Sequence, residues 1–324
     1  VWDGEEGGKT HFQSSEIGAP VLGHIVENRV VQLALLDRIK ASESVDYLCP
    51  CQLGDVDTQA DRITCKLSSE TGVSIPEFIS TRLLIGADGA RSRVRDMAGI
   101  ATSSFTYPHH AMVATIETEL PQQDITWQRF KPTGPEAFLP LCGERASMVW
   151  YNSEDEIGRL GSLNDDEFAD AMQNTFPARL GSVRTILQRA SFPIARAHAK
   201  TYLAERIALI GDAAHSVHPL AGQGVNLGML DAAALAEVVI AAHNANKDIG
   251  SRRVLRQYER WRRGENAMMI AVLDGFYQAF KPQPAVIRTL RSTALSVADN
   301  AGLVKRLVMQ QAMGTGPDLP QLAR

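Results

Sequence analysis

Apolar positions along the chain change their spacing twice. From Val30 to Ile39 they recur with a helical period, Val31, Ala34, Leu35 and Ile39 sharing a side, which predicts a helix packed on a core. Three β-like runs follow, Tyr47 to Leu53, Arg62 to Leu67 and Glu77 to Ile85, punctuated by Asp, Gly and Ser turns. The third closes on Leu83-Leu84-Ile85-Gly86, an apolar strand that feeds a turn. Between Tyr107 and Ile194 the pattern becomes short-strand alternation: Met112 to Glu119, Thr126 to Phe130, Ala137 to Leu141 and Ala146 to Tyr151, with one helix near Asp165 to Thr175. That pattern predicts an antiparallel α+β block. A buried strand, Arg206 to Ile210, then opens onto Gly211-Asp212. The remainder is helical: Gln223 to His243, Ser251 to Phe280, and two shorter helices between Pro284 and Met313. Residues 1–20 carry charges and glycines without a period and read as loop or sheet edge.

Two apolar strands, each ending in a Gly/Asp turn, thus flank a long antiparallel insertion, as expected of a nucleotide-binding α/β domain interrupted by a second domain. The predicted division gives 1–20 to an edge of the inserted domain, and 21–103 and 197–262 to the two parts of the nucleotide-binding domain. Residues 104–196 form the inserted α+β domain, and 263–324 are C-terminal helices.

Composition narrows the class. With 324 residues, 44% of them hydrophobic, a disordered or fibrous chain is excluded. The balance of 33 Lys and Arg against 37 Asp and Glu, net −4, offers no field for nucleic acid. No apolar run approaches the ~18 residues that cross a bilayer. The longest, Leu235 to Ala242, is interrupted by Glu237, so spanning is excluded and surface contact is not. Cys49, Cys51, Cys65 and Cys142 show neither zinc nor redox spacing and no disulfide framework. No metal is expected, and a reducing, cytoplasmic setting is the default. The opening Val1-Trp2-Asp3 has no initiator Met and looks cut from a longer chain.

Two turns carry the chemistry. The first, Gly86-Ala87-Asp88-Gly89-Ala90-Arg91-Ser92-Arg93-Val94-Arg95, sets glycines where backbone can approach a ligand. Its Asp88 stands at the carboxyl end of a strand, where open α/β sheets bind cofactors. The same residues also make an ordinary D-G turn with solvated arginines. The second, Gly211 to Gly228, is richer. Asp212, directly after a buried strand, is placed to accept a hydroxyl hydrogen bond from a ribose or ribityl chain. Gly222-Gln223-Gly224 then starts a helix whose N–H groups and dipole suit a partial or full negative charge. These glycines come well after the strand and not in G-x-G-x-x-G spacing, which places the helix end near a ring that becomes anionic rather than at a phosphate.

Together these segments resemble the flavin-dependent aromatic hydroxylases of the para-hydroxybenzoate hydroxylase type. The resemblance implies that Asp88, Gly89, Ser92 and Arg95 lie beside the FAD pyrophosphate and the path of the nicotinamide. It also implies that Gly211 and Asp212 hold the ribityl chain, and that Pro219, Gly222, Gln223, Gly224, Val225 and Asn226 cradle the isoalloxazine. Within the family the chain looks most like the hydroxylases of ubiquinone biosynthesis, through Gly23 to Asn28, Phe138-Leu139-Pro140-Leu141, Val149-Trp150-Tyr151 and the unbroken run His218 to Gly228. Ile125 to Phe130 with Val94 to Ile100 leans toward the branch acting on a 2-polyprenyl-3-methyl-6-methoxy-benzoquinol. The fold implied is α/β plus α+β: a para-hydroxybenzoate hydroxylase-like FAD domain, incomplete at its N-terminus, with an inserted antiparallel-sheet substrate domain and C-terminal helices. The family's opening βαβ unit with G-x-G-x-x-G is not found, so its first ~80 residues are expected to be missing and the chain alone to hold FAD poorly. Gln32, one turn into the first helix, matches a Gln that reaches FAD in some relatives, with Asn28 and Arg29 where relatives often place an Arg.

The reaction implied is reduction of FAD by NAD(P)H, oxygen capture at flavin C4a, and transfer of one oxygen atom to the ring of a polyprenyl phenol or quinol. His215 and His218 are candidates for proton relay, and equally for hydrogen-bonded loop structure; His109 and His110 are lesser candidates. Phe138, Leu139 and Trp150, with Phe130, are placed to line a substrate cavity, or to fill an ordinary β core. Arg252, Arg253, Arg256, Arg260, Arg262 and Arg263 read as a solvated face paired with Glu259 and Glu265. Beside Met268, Met269, Val272, Leu273 and Phe276 they also read as a basic surface for the inner membrane or a biosynthetic complex. A homo-oligomer is expected and nucleic acid is not. Two rival readings stay open: a hydroxylase of a soluble aromatic compound, and a non-catalytic fragment acting in assembly.

Overall fold

The computed structural model describes residues 1–69, 74–177, 181–314 and 318–324. In chain order its elements are β1 (Trp2–Asp3), α1 (Asn28–Lys40), β2 (Gln52–Thr58), β3 (Ile63–Ser68), β4 (Phe78–Thr81), β5 (Leu84–Gly86) and α2 (Arg93–Met97). Then come β6 (Thr102–Thr118), β7 (Trp127–Lys131), β8 (Gly134–Pro140), β9 (Arg145–Ser153), α3 (Glu154–Ser162), α4 (Asp165–Thr175) and β10 (Val183–Ala199). The last group is β11 (Leu203–Ala204), β12 (Ile207–Leu209), β13 (His215–Ser216), α5 (Gly224–Asn244), α6 (Arg252–Phe280), α7 (Ala285–Asp299) and α8 (Gly302–Ala312). The chain divides into two compact units, residues 1–33, 106–194 and 275–317 in the first and 34–105, 195–274 and 318–324 in the second. Helix α6 runs unbroken from Arg252 to Phe280, and the boundary between the units after Asp274 falls within it, as does the position 262/263.

In the first unit, strands run in the order β1-β7-β8-β9-β6-β10. Alternation sorts the residues between the faces. Met112, Ala114, Ile116, Met148 and Trp150 pack under α3 and α4 against Ile157, Leu160, Phe168 and Met172. Tyr107, Ala111, Tyr151 and Ile194 take the opposite face with Tyr277. Helix α4 begins at a capping box between Asn164 and Glu167, and α3 at the Ser153 hydroxyl, which accepts the Glu156 N–H. The N-terminal segment is tied down by polar contacts: Arg291 pairs with Asp3, and the Gly8 N–H donates to Ser292 Oγ.

In the second unit, one small sheet runs β11-β12-β5 and another β2-β3-β4. Ile207, Ala208 and Leu209 of β12 lie in a core with Val94, Tyr202, Leu235, Val238, Leu255 and Tyr258. The Tyr258 hydroxyl donates to the Leu209 carbonyl at 2.7 Å, fixing α6 to this strand. Helix α5 contains an 18-residue window of mean hydropathy 1.7, so by length and composition it is apolar enough to cross a membrane, contrary to the expectation from uninterrupted runs. Its inner face, Leu227, Asp231, Ala234, Leu235, Val238 and Ala242, is buried in this unit.

Several expectations are corrected. Helix α1 forms as predicted, yet none of its residues is buried, and Val30, Leu33 and Leu35 are exposed. The run Glu77 to Ile85 is two strands in different sheets. The Leu83 N–H turns back to Thr81 Oγ1, and the Arg82 carbonyl is taken by Arg206. The run Tyr47 to Leu53 becomes β2, shifted toward Thr58, and β6 starts at Thr102 rather than near Met112. Helix α3 is not anticipated although Ser153 caps it and Ile157 and Leu160 fall one turn apart; the long strand β10 carries little periodic apolar signal and exposes most of its residues up to Pro193.

Arg206 holds φ +57, a left-handed conformation disfavoured for a residue with a side chain. Its buried guanidinium donates to the carbonyls of Ala60 and Arg82 and to both oxygens of Asp248, which holds it there. Arg206→Ala should therefore lower the unfolding free energy in urea by about 1–3 kcal/mol, since Asp248 and the Ala60 and Arg82 carbonyls lose their donor. Arg206→Gly should lose about 1 kcal/mol less, because glycine relieves the backbone strain. Equal losses would show that the left-handed backbone carries no cost.

Candidate functional site

Strand β12 runs parallel to β5 with Leu209 opposite Gly86. Both strands therefore leave the sheet at one level, and the turns that follow emerge side by side at its carboxyl edge, where α/β sheets hold ligands. Only glycine fits at position 86, since a methyl group there would stand 2.7 Å from Leu209 Cδ2 and 2.9 Å from Val94 Cγ1.

The first turn is built from its own polar side chains. Asp88 accepts the Ser92 hydroxyl at 2.5 Å and the Val94 N–H at 3.1 Å, while Ser92 Oγ caps α2 by accepting the Arg95 N–H. Burial acts to raise the Asp88 carboxyl, but those hydrogen bonds outweigh it and hold the group below the usual carboxylate range. Asp88 is thus engaged in shaping the turn. The buried Arg95 links the two turns, donating to the Ala90 carbonyl at 3.0 Å and to the Ala213 carbonyl at 3.2 Å.

The second turn starts at Gly211, φ +57, packed against Gly228 of α5 so closely that a Cβ on Gly228 would meet Gly211 Cα at 3.2 Å. Asp212 follows. Among the described residues no group donates to its carboxylate, and burial raises it above the ordinary value while His215 acts the other way. Gly222, φ +63, closes the 3-10 turn Pro219–Ala221, and α5 begins at Gly224 after Gln223, with no side-chain cap on its first turn. The glycine that needs a left-handed backbone is Gly222; Gly224 is helical. Val225 and Asn226 are exposed at this helix start.

Both histidines of the run have one ring nitrogen engaged by the protein. His218 is buried, and its Nδ1 accepts the Leu220 N–H at 3.2 Å, capping the 3-10 turn. His215 is buried with Nε2 2.5 Å from Asp231 Oδ2. Behind it lies a cluster that the motifs did not announce. Asp231 also accepts the Gly211 N–H, Arg262 Nε at 2.8 Å and Asn266 Nδ2 at 3.0 Å. Asn266 reaches the Tyr202 hydroxyl, which in turn lies 2.9 Å from His198 Nε2. Burial is the main reason that His198 is pushed down to about 4, with Arg263 next, so it is neutral near pH 7. Burial acts to raise Asp231, but hydrogen bonding and charge from His215, then Arg262 and Asn266, hold it low. The signal was present in the sequence: Asp231 sits on the buried stripe of α5, and Arg262 and Asn266 interrupt the apolar stripe Leu255, Tyr258, Ile270, Leu273 of α6. Arg262 therefore leaves the basic run, whose other arginines stay exposed.

The remaining candidates are scattered. Gln32 is exposed on α1. Phe138 and Trp150 share the α4-facing side of the first unit's sheet, where each ring meets Phe176, whereas Leu139 pairs with Ser147 and points to the opposite side. The three cannot line one cavity. Phe130 is buried and stacks on Phe280 at 4.4 Å between centroids. His109 packs edge-on against Tyr277 and is held low by burial and by Lys281.

The second unit's two turns fit a flavin. A Cβ added at Gly89, Gly222 or Gly224 would meet nothing within 4 Å, so the backbone there is open to a flat ligand. Asp212 offers an unused acceptor for ribityl hydroxyls, and the uncapped start of α5 offers N–H groups to an electron-rich ring edge.

Comparison with known proteins agrees. Residues 51–271 match the family model described as FAD binding domain. The chain is 39% identical over 303 residues to 3-demethoxyubiquinol 3-hydroxylase of Escherichia coli, covering 94% of this chain and 76% of that protein. It is 35% identical over 317 residues to ubiquinone hydroxylase UbiL of Rhodospirillum rubrum, covering 97% and 72%. The structure of OxyS anhydrotetracycline hydroxylase from Streptomyces rimosus superposes with a TM-score of 0.68 at 20% identity, covering 90% of this chain and 56% of that one. Paired glycine turns, an Asp212 that no described residue donates to, and these matches lead to one assignment: the chain belongs to the FAD-binding-domain family of monooxygenases and, within it, to the FAD-dependent hydroxylases of ubiquinone biosynthesis.

Proposed function

We propose that this protein hydroxylates the aromatic ring of a polyprenylated phenol or benzoquinol, with FAD as cofactor and NAD(P)H and O2 as co-substrates. The observation that carries the reading is Asp212, a carboxylate without a donor among the described residues, just after β12 and beside a backbone left open by Gly222 and Gly224. When bound, FAD supplies the electron transfer and the oxygen activation. The chain's own residues bind and orient it. Asp212 accepts hydroxyl hydrogen bonds, Arg95 and Asp88 keep the two turns in register, and the start of α5 stabilises negative charge by about 0.3–2 kcal/mol. That term tunes the ring and is too small to account for catalysis.

A substrate with a prenyl tail favours a peripheral position at a membrane. Exposed Met268 and Val272, on the same helix α6 as exposed Arg252, Arg256, Arg260 and Arg263, support this, as do exposed Val286 and Leu290 on α7. The relatives named COQ6 are mitochondrial by name.

Turnover of a prenylated phenol should exceed that of the same phenol without its tail in kcat/KM, read as NAD(P)H-dependent product formation. A preference for the tail-less phenol would shift the assignment to a soluble aromatic substrate.

Two variants test the cofactor contacts. Because the Asp212 carboxyl is raised in the fold, its ionised form costs stability as pH rises through that raised value. Asp212→Asn should therefore leave the flavin-free thermal midpoint at pH 7 equal or higher, while weakening FAD about tenfold by titration. Lost stability with unchanged FAD affinity would make Asp212 a structural residue.

Gly224→Ala should keep the wild-type thermal midpoint and weaken FAD, since the added methyl meets only open space in the fold. Gly222→Ala should cost about 1 kcal/mol of stability from its left-handed backbone. The reverse ranking in stability would overturn the assigned roles.

A further inference from the structure

The flavin site explains the exposed residues of the second turn and leaves unexplained the charged cluster buried behind it. We infer that Asp231 is the positioning residue of that site, holding the Gly211-Asp212 turn against α5 from inside the protein. The inference rests on the flavin reading given above.

Asp231 is fully buried, with 0% exposure. One of its oxygens, Oδ2, accepts the Gly211 N–H at 3.1 Å and faces His215 Nε2 at 2.5 Å. The other, Oδ1, accepts Arg262 Nε at 2.8 Å and Asn266 Nδ2 at 3.0 Å. A single carboxylate thus joins the segment after β12, the residue that starts β13, and helix α6, while standing itself on α5. Two acceptor oxygens serve four donors; an Asn in its place would turn a donating NH2 toward two of them, and an apolar residue would leave all four without an acceptor.

The contact with the flavin site is direct in the chain. Gly211 is bonded to Asp231, and the next residue is Asp212. The same turn is pressed on α5 at Gly228, a single helical turn from Asp231. Asp231 therefore sets both the reach of the Asp212 carboxylate and the seating of the turn on the helix whose N-terminus meets the ligand. Arg262 and Asn266 hold the carboxylate in turn, Arg262 being braced by Glu265 and by Asn266 Oδ1.

The test compares Asp231→Asn with Val238→Ala, which trims the buried face of α5 in the same core without touching the cluster. For each purified protein, thermal midpoint, FAD affinity by titration and the visible circular dichroism of bound flavin are measured. Asp231→Asn should bind FAD about tenfold more weakly than wild type and alter the flavin's visible circular dichroism. Val238→Ala should keep both despite its lower midpoint. If Asp231→Asn does not fold, Asn266→Ala, which removes one donor, should show a smaller change in the same direction, about threefold. The inference is overturned if the folded variants of the cluster keep wild-type affinity and visible circular dichroism, or if Val238→Ala weakens FAD as much for the same loss of midpoint. Because the chain alone is expected to hold FAD weakly, each variant's affinity is read as a ratio to that of the wild-type chain; wild-type binding that does not saturate even at the highest FAD concentration would remove the flavin reading, and this inference with it.

Discussion

A carboxylate taken out of water is unstable unless its oxygens are met by donors, because the low-dielectric interior gives back little of its hydration. Asp231 is such a group, and its solution organises the second unit. Backbone from the end of β12, an imidazole from β13, and a guanidinium and an amide from α6 all converge on one side chain of α5. Remove it and four donors face no acceptor, so the elements that deliver them lose their reason to meet. The chain extends through Asn266 to Tyr202 and His198, which brings the end of β10 into the same arrangement.

The neighbouring Asp212 meets the opposite fate. Asp231 is held below the ordinary carboxylate range by its donors, whereas Asp212 is raised by burial and has none among the described residues. Two like groups, near in sequence, are pushed apart by their surroundings, a pattern associated with functional sites. One is satisfied by the protein and shapes it; the other is kept for something that the protein does not supply. Arg95 completes the division of labour, tying the first turn to the second through the carbonyls of Ala90 and Ala213.

The two turns were legible because glycine and aspartate at strand ends break the apolar pattern, and such breaks have few structural uses. The register of β12 on β5 then places them together, as the paired Gly/Asp turns predicted. Less legible was anything that depends on which side of an element faces inward. Leu139 reads with Phe138 and Trp150 as an apolar position on neighbouring strands, although adjacent strand residues point to opposite faces. His215 and His218 looked like loop residues near a ligand, yet both are buried in hydrogen bonds to protein. Arg262 was hidden among its exposed neighbours because a run of like residues conceals the one that falls on the buried stripe. Strand β10, exposed over most of its first part, carries no alternation to read.

The contact between Gly211 and Gly228 has a bearing on how such a site changes over generations. A Cβ on Gly228 would press on Gly211 at 3.2 Å, tighter than ordinary contact, whereas Gly211 is restricted by its left-handed backbone. A mutation at one cannot be compensated by shrinking the other, since there is nothing left to remove. The pair is therefore closed to stepwise drift from either side, and variation in ligand preference has to enter elsewhere, through residues such as Val225, Asn226 and Met229 that line the exposed start of α5 without sharing its inner contact.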